Sequence, residues 1–196
     1  MPTLVLASTS PYRRMLLDRL RIPYVCATPT TDETALTGEN AGDLVIRLAE
    51  AKARSVAAEF PDALIIGCDQ AAELDGDIIG KSGGYAGASA QLARASGRAV
   101  TFHTGLCVYD AAHDTMHTVA VPFTVQFRHL TAEAIDTYLK LEAPYDCAGS
   151  FKVEALGITL FNSMAGDDPT SLTGLPLIAL TTLLGEAGYD VLAHAR

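Results

Sequence analysis

The segment Ala7–Arg14 carries side chains suited to holding an anion, and it reads Ala-Ser-Thr-Ser-Pro-Tyr-Arg-Arg. Ser10 stands at an N-cap position and Pro11 at a first helical position, so a helix is predicted to begin there. A helix N-terminus offers free backbone N–H groups, to which Ser8 and Ser10 add hydroxyls and Arg13 a bidentate donor. The segment therefore predicts a phosphate site, although a capped surface helix with solvated arginines explains the same residues.

Three acidic residues are candidates for metal binding or for activating water. Asp32 and Glu33 stand in a polar stretch after the first helix, and Asp69 follows the apolar run Ala63–Cys68. Two carboxylates brought together would bind Mg²⁺ or Mn²⁺, which prefer oxygen ligands and bridge phosphates. For a lone acidic residue in a loop, a solvated surface position is the alternative.

The net charge restricts the partners. The chain has 196 residues and a formal net charge of -9 at pH 7. Nucleic-acid polymers and anionic membranes require a broad basic face, so neither is expected as a partner. A phosphate ligand must then meet a local cluster of cations. Lys52 and Lys81 are candidates, although an isolated lysine is usually a solvated surface group.

Cysteine usage and the absence of long apolar segments favour a cytoplasmic protein. No C-x-x-C pair occurs among the four cysteines, so free thiols in a reducing compartment are expected. The first apolar run, Leu4–Ala7, is too short for a secretory signal. No segment approaches the roughly 20 apolar residues of a membrane span.

Several familiar motifs fail on inspection. Gly80-Lys81-Ser82 is close to the end of a Walker A loop, but the required glycine five positions earlier is Asp75. His113 and His117 have a metal-binding spacing, yet they fall in a predicted hairpin. The chain contains no H-E-x-x-H, G-x-S-x-G or G-x-G-x-x-G motif, which argues against zincins, α/β-hydrolases and the usual dinucleotide-binding fold.

The elements that must position these residues alternate between strands and helices. Leu4–Ala7 and Ala63–Cys68 read as buried strands, and Asp43–Glu59 reads as an amphipathic helix. The second strand is predicted to present Asp69 and Gln70 at its carboxyl end, where open α/β sheets bind ligands. The remaining elements are a loop at Gly76–Gly84, a helix at Ala86–Ala95, an antiparallel hairpin of Ala99–Tyr109 and Thr118–Phe127, a helix from Thr131 to about Leu141, a strand at Gly157–Phe161, a loop at Ala165–Gly174 and a helix at Pro176–Gly185.

Short motifs run in order from Leu4 to about Leu184. They are Leu6–Arg14, Asp32–Thr34, Arg47–Ala49 with Lys52, Ile66–Gln70, Gly80–Lys81, Thr104–Gly105 and Gly149–Lys152. In this order they resemble the Maf family of nucleotide pyrophosphatases, which split a nucleoside triphosphate into a monophosphate and diphosphate. The resemblance implies a single α/β domain over residues 1–196, with a twisted mixed sheet flanked by helices in two lobes and a central nucleotide cleft, as in Maf and ITPase-like folds. Family members often form homodimers, although nothing in this sequence fixes the oligomeric state.

The resemblance also implies roles for individual residues. Asp69 would be the catalytic acidic residue, and with Glu33 it would hold a divalent metal ion, Mg²⁺, Mn²⁺ or Co²⁺. The residues implied to bind the phosphate chain are Ser8, Ser10, Arg13, Lys52 and Lys81.

Three positions resemble the branch of the family associated with 7-methyl-GTP. Tyr12, Gln70 and Glu154 stand where the branch that takes dTTP and UTP tends to have Arg, Thr and Gln. Because 7-methylguanine carries a delocalised positive charge, the ring of Tyr12 can stack on it through a cation–π interaction. Glu154 can accept hydrogen bonds from the guanine N1–H and the exocyclic amine. We therefore expect 7-methyl-GTP as the substrate.

Two alternatives stay open at this point. The first is the same reaction on dTTP, UTP or another modified nucleotide. The second is a nucleotide-binding regulator, because Maf proteins have been linked to inhibition of septum formation. The joint presence of Asp69, Glu33, Lys52 and Lys81 favours an enzyme, since a sensor needs no metal-held water.

Overall fold

A mixed sheet of seven strands runs through the protein, and the computed structural model describes residues 2–196. The strands are β1 (Thr3–Ala7), β2 (Val25–Ala27), β3 (Ala63–Leu74), β4 (Asp77–Ile79), β5 (Ala99–Asp110), β6 (Thr115–Phe127) and β7 (Phe161–Ala165). They lie in the order β2-β1-β3-β5-β6-β7, and β4 pairs with β3. The β2-β1-β3 part is parallel, whereas β4, β5, β6 and β7 join through antiparallel pairs.

Within residues 2–196, six α-helices flank the sheet. They are α1 (Pro11–Asp18), α2 (Ala41–Ser55), α3 (Tyr85–Ala95), α4 (Ala132–Glu142), α5 (Leu177–Glu186) and α6 (Val191–His194), with short 3₁₀ helices at Ala57–Glu59, Leu156–Leu160 and Pro169–Ser171. Within residues 2–196, no helix combines the length and the apolar character needed to cross a bilayer. The mixed α/β fold predicted from the sequence is confirmed.

Separate apolar clusters form the two lobes at opposite ends of the long strands. The first lobe packs α1 and α5 against β1 and β3, and its buried side chains include Leu4, Leu6, Leu17, Leu180 and Leu184. The second lobe contains α3 and α4 and buries Leu92 and Leu139 with an aromatic group, Phe102, Phe127, Phe151 and Phe161. Ring centroids within this group lie 4.8 Å (Phe151–Phe161) to 5.9 Å (Phe127–Phe151) apart in edge-to-face contacts. The lobes share β3 and β5, which cross from one to the other.

Two glycines let α2 lie directly on the sheet. A Cβ atom at Gly67 would stand 2.0 Å from the carbonyl oxygen of Ala49, and one at Gly105 would stand 2.0 Å from that of Val45. No side chain larger than hydrogen fits at either position. Because α2 lies this close to the sheet, Lys52 on the same helix lies next to β3.

The strand that carries Asp69 is longer than the sequence predicted. β3 continues to Leu74, so Asp69 and Gln70 lie in the middle of a strand and not at its carboxyl end. The apolar run stops at Cys68 because the strand leaves the core of the first lobe there. The next two residues are only half-buried. The sequence signal marked the edge of that core, not the end of the strand.

Other predicted boundaries also need correction. The predicted strand Gly157–Phe161 is instead the 3₁₀ helix Leu156–Leu160 followed by β7. Gly157 forms a tight turn there, in which its N–H donates to the carbonyl of Lys152 at 3.1 Å. The predicted loop Gly76–Gly84 contains β4, and α2 starts at Ala41 and ends at Ser55 rather than spanning Asp43–Glu59. β2, β4 and α6 are too short to produce a detectable periodicity.

Candidate active site

A cleft of about 740 Å³ is lined by side chains of both lobes. Ten of the candidate residues from the sequence line it: Ser8, Ser10, Tyr12, Arg13, Glu33, Lys52, Asp69, Gln70, Lys81 and Glu154. Asp32, the other candidate carboxylate, accepts a hydrogen bond from the N–H of Thr34 and does not line the cleft. The fold therefore gathers residues that are far apart in the chain, whereas their chemical roles stay predictions.

The cleft crosses the sheet where β3 has a free edge. β1 pairs with β3 only as far as Gly67, and β4 pairs with it only from Ala72 onwards. Between these points, no strand within residues 2–196 covers that edge of β3. Asp69 and Gln70 point to opposite faces of the sheet, as successive strand residues do. Both still line the cleft, because no neighbouring strand separates the two faces there.

The start of α1 is built as the sequence predicted. Ser10 caps the helix, and its Oγ accepts from the N–H of Arg13 at 3.4 Å. The Oγ of the buried Ser8 accepts from the N–H of Ser10 at 3.1 Å. Arg13 Nε donates to the carbonyl of Gly174 at 2.9 Å. No hydrogen bond from residues 2–196 engages the two terminal nitrogens of Arg13, so they are free to bind an anion.

Lys52 joins the two predicted carboxylates. Its Nζ lies 2.5 Å from Asp69 Oδ1 and 2.6 Å from Glu33 Oε1, and only 6% of the residue is exposed. The hydrogen bond from Lys52 lowers the pKa of Glu33 against the opposing effect of desolvation, and the nearby charges of Lys81 and Arg13 lower that pKa further. Glu33 is therefore ionised at neutral pH.

The loop that carries Glu33 is held by an ion pair that sequence reasoning missed. Arg47 donates to Glu39 through Nε at 2.6 Å and through a terminal nitrogen at 2.7 Å, and it also donates to the carbonyl of Thr34 at 3.1 Å. These bonds from Arg47, with a further one from the N–H of Leu36, lower the pKa of Glu39 to about 2. Arg47 lies in one of the family-like motifs, but its place in this loop depends on contacts that the motif does not encode.

Gln70 is fixed by its amide nitrogen. Nε2 donates to the carbonyl of Ser171 at 2.7 Å, to that of Leu172 at 3.2 Å and to Thr104 Oγ1 at 3.1 Å. Thr104 and Ser171 are fully buried. Thr104 belongs to a family-like motif, but its contact with Gln70 and both contacts with the loop were not predicted.

The loop that supplies these carbonyls is held by Asp168, which is 2% exposed. Asp168 Oδ1 accepts from the N–H of Thr170 at 3.0 Å and from its hydroxyl at 2.6 Å. Oδ2 accepts from the N–H of Ile178 at 2.7 Å, in the first turn of α5. This buried carboxylate therefore fixes residues 168–174 relative to the helix, as carboxylates do at helix N-termini.

Tyr12 and Glu154 lie towards the same end of the cleft. Tyr12 is half-buried and Glu154 is exposed. Desolvation raises the pKa of Tyr12, and Cys147, Glu154 and Asp146 raise it further, whereas Lys152 lowers it. The phenol therefore stays neutral at physiological pH, next to an acidic rim.

Lys81 is an exposed residue that forms an isolated β-bridge with Ala148. Gln91 secures this contact from α3: its Nε2 donates to the carbonyl of Gly80 at 3.0 Å, and its Oε1 accepts from Ser150 Oγ at 2.5 Å. These contacts therefore hold the backbone of Lys81 in place at the cleft, and its exposed side chain can extend to a ligand.

The carboxylates fit a metal ion only if a substrate shares it. Among residues 2–196, no group of three or more His, Cys, Asp or Glu side chains is placed to hold a metal. Glu33 Oε1 and Asp69 Oδ1 converge on Lys52 Nζ, which leaves the second oxygen of each carboxylate, without a partner within residues 2–196, as a ligand for an ion. Mg²⁺ is usually held by one or two carboxylates together with waters and substrate phosphates. The donor set matches that pattern, not a closed protein cage.

The fold and the cleft define a class of protein: an α/β protein whose cleft brings together a helix N-terminus, cationic side chains and two carboxylates. The chain belongs to the Maf family, because a family model described as "Maf-like protein" matches residues 3–187. This confirms the family indicated by the motifs.

Three similar proteins are each named 7-methyl-GTP pyrophosphatase. The protein from Nitrosococcus oceani is 54% identical over 191 residues, which cover 97% of this chain and 96% of the relative. The protein from Methylobacillus flagellatus is 51% identical over 192 residues, covering 98% and 100%. The protein from Colwellia psychrerythraea is 50% identical over 194 residues, covering 99% and 97%.

Proposed function

We propose that this protein is a nucleotide pyrophosphatase that hydrolyses 7-methyl-GTP to 7-methyl-GMP and diphosphate. The observation that carries the proposal is the convergence of Asp69 and Glu33 on Lys52, in the cleft lined by the start of α1. This arrangement supplies a base, negative ligands for a cation and positive groups for a phosphate chain. The names of the three relatives supply the substrate.

The phosphate chain binds where the start of α1, Arg13 and Lys81 line the cleft. The N–H of Tyr12, which no acceptor within residues 2–196 engages, and the terminal nitrogens of Arg13 bind non-bridging oxygens, and Lys81 adds a further cation. Ser8 and Ser10 donate from their hydroxyls. These groups stabilise the charge that develops on the phosphate oxygens during reaction.

Asp69 acts as the general base. Its Oδ1 accepts from Lys52, and Oδ2 has no partner among residues 2–196. Asp69 takes a proton from a water molecule, whose oxygen attacks the α-phosphorus. The bond from that phosphorus to the oxygen bridging to the β-phosphate breaks, and diphosphate leaves with the electron pair. Lys52 holds the carboxylate in place throughout.

Glu33 and Asp69 would hold a divalent metal ion, Mg²⁺, Mn²⁺ or Co²⁺, shared with the phosphates. The ion supplies charge neutralisation to the phosphate oxygens. Glu33 is suited to this because its lowered pKa keeps it ionised. Its loop is held by the Arg47–Glu39 ion pair.

Base recognition falls to Tyr12, Gln70 and Glu154. Stacking of the cationic 7-methylguanine on Tyr12 contributes about 0.5 to 2 kcal/mol. The carboxylate of Glu154 balances the positive charge of the base and accepts hydrogen bonds from it.

A protein with four free thiols is suited to the reducing cytoplasm, where we place this activity. Whether it acts as a homodimer is a separate prediction, which sedimentation of the purified protein tests.

Product analysis tests the proposal. The purified protein is incubated with 7-methyl-GTP, GTP, dTTP and UTP, each with Mg²⁺, Mn²⁺ or Co²⁺, and diphosphate and orthophosphate are measured separately. We expect diphosphate from 7-methyl-GTP and much less from the others. A preference for dTTP or UTP would overturn the substrate assignment and keep the reaction. Tight nucleotide binding without hydrolysis under any metal would favour a regulatory binding protein.

A further inference from the structure

The hydrogen bonds of Gln70 fix the polarity of its side chain. All three partners of Nε2 lie on the wall of the cleft formed by β5 and the 168–174 loop. Two of them are backbone carbonyls, which can only accept. Exchanging the amide oxygen and nitrogen would set an oxygen against two carbonyl oxygens. The orientation with nitrogen inward is therefore the only one that the wall permits.

The amide oxygen of Gln70 is left open to the cleft. It accepts no hydrogen bond from residues 2–196. In the same part of the chain, the fully buried polar side-chain atoms without a partner are Thr31 Oγ1, His103 Nε2 and Thr118 Oγ1. The unpaired oxygen of Gln70 is not one of them, so it is accessible in the cleft that Gln70 lines. Gln70 thus offers a ligand an acceptor and no donor.

Thr104 completes the wall. Its hydroxyl donates to the carbonyl of Ser171 at 2.9 Å and accepts from Gln70 Nε2 at 3.1 Å. Because that proton is committed to Ser171, the oxygen of Thr104 can face Gln70 only as an acceptor. Gln70 and Thr104 are also directly paired across β3 and β5. The hydroxyl is therefore a third acceptor that, together with the two carbonyls, holds the Gln70 amide in place.

We propose that Thr104 is a positioning residue that makes Gln70 select a hydrogen-bond donor on the substrate. The inference rests on the proposed function and gives it a chemical rule: the substrate must place a donor against this oxygen. In a 7-methylguanosine nucleotide, the exocyclic amine and the ribose hydroxyls supply such donors. A nucleotide that presents an acceptor there is rejected, because two lone pairs would face each other.

Substrate analogues identify the donor. Values of kcat/KM are measured for 7-methyl-GTP, for 7-methyl-ITP, which lacks the amine, and for the 2′-deoxy and 3′-deoxy forms of 7-methyl-GTP. We expect one of these three analogues to lose about tenfold in kcat/KM, the scale of one hydrogen bond. The group that is missing from that analogue is the donor that Gln70 contacts.

Variants of Thr104 and Gln70 test the positioning. Thr104→Val keeps the shape and removes the hydroxyl, and Thr104→Ser keeps the hydroxyl. We expect Thr104→Val to lower the ratio of kcat/KM for 7-methyl-GTP to that for the selective analogue, mainly through KM, and Thr104→Ser to retain this ratio. In a Gln70→Met background, Thr104→Val should not change the ratio further, since Thr104 acts through Gln70. An equal loss on all substrates, or an unchanged ratio in Thr104→Val, overturns the inference.

Product binding separates this inference from the proposed function. Calorimetry gives the Kd of 7-methyl-GMP and of the matching analogue monophosphates for the wild type and for Thr104→Val, without any turnover. A ratio of Kd values that falls in Thr104→Val supports the inference even if the wild type hydrolyses no triphosphate. A ratio that stays unchanged overturns it even if hydrolysis is normal. Thermal unfolding of each variant checks that the fold is intact.

Discussion

Lys52 on α2 donates to Asp69 on β3 across 2.5 Å, although the two residues are 17 positions apart. The contact exists because Gly67 and Gly105 let the helix backbone rest on the sheet. A buried lysine between two carboxylates is stable only when its charge is compensated, and Glu33 provides the second carboxylate at 2.6 Å. One helix-to-sheet contact therefore fixes the positions of Lys52 and the two carboxylates relative to each other.

Replacing Asp69 should abolish most of the turnover. We expect Asp69→Asn to lower kcat by about a hundredfold, the scale of a lost general base, with a much smaller change in nucleotide affinity. Release of diphosphate from 7-methyl-GTP measures the rate. Glu73→Gln is the control, because Glu73 points to the same side of β3 but does not line the cleft. Near-wild-type activity in Asp69→Asn would remove Asp69 from the mechanism.

The metal requirement of hydrolysis should depend on Glu33. We expect EDTA to stop hydrolysis and added Mg²⁺, Mn²⁺ or Co²⁺ to restore it. Glu33→Gln should raise the metal concentration for half-maximal rate at least about tenfold, because the site loses one of its two charged ligands. Asp32→Asn removes the adjacent charge outside the cleft and should leave the metal titration unchanged. Identical titration curves for Glu33→Gln and the wild type would contradict the assignment.

The glycine contact under α2 should be sensitive to a single methyl group. In Gly67→Ala, the new Cβ would meet the carbonyl oxygen of Ala49 at 2.0 Å, so the helix must move. We expect a loss of about 3 kcal/mol in the free energy of unfolding, measured with urea, together with a fall in activity. Gly185→Ala on α5 is the matched control, because its Cβ meets nothing within 4 Å. That change should raise stability by about 0.5 to 1 kcal/mol. Equal stability of the two variants would contradict the packing argument.

The Arg47–Glu39 ion pair should make stability depend on pH in a defined window. The folded-state pKa of Glu39 is lowered to about 2, so its contribution is present above the unfolded value of about 4.3 and is lost as the pH falls towards 2. We expect Glu39→Gln to have a lower free energy of unfolding than the wild type at pH 6. This difference in free energy should shrink as the pH falls from about 4.3 towards 2. Urea unfolding at several pH values measures it. Glu59→Gln, at an exposed glutamate, should show no such trend, and a constant difference for Glu39→Gln would disprove the linkage.

Selectivity for the methylated base should depend on Glu154. We expect Glu154→Gln to lower the preference for 7-methyl-GTP over GTP by about tenfold, because a neutral amide no longer balances the charge of the base. The ratio of the two kcat/KM values measures this. Glu133→Gln, which changes a glutamate outside the cleft, is the control. An unchanged ratio in Glu154→Gln would exclude the carboxylate from base recognition.

Local patterns were enough to predict much of this protein. The helix beginning at Pro11 with its Ser10 cap follows from short-range chemistry, which a few adjacent residues encode completely. The long strands and amphipathic helices were visible as periodicity, and the wrong boundaries fall mostly where elements are short or border the cleft. The motifs predicted the family and ten of the residues that line the cleft.

The sequence by itself thus determined the family, the main elements and the chemical types available to the cleft. Only the tertiary structure decided how those groups are oriented. Arg13 meets Gly174 across 161 positions, and Gln70 meets Ser171 across 101. Such contacts depend on where β1 stops and how the 168–174 loop folds back against β3. No local preference encodes them, because their partners become neighbours only after the whole sheet has formed.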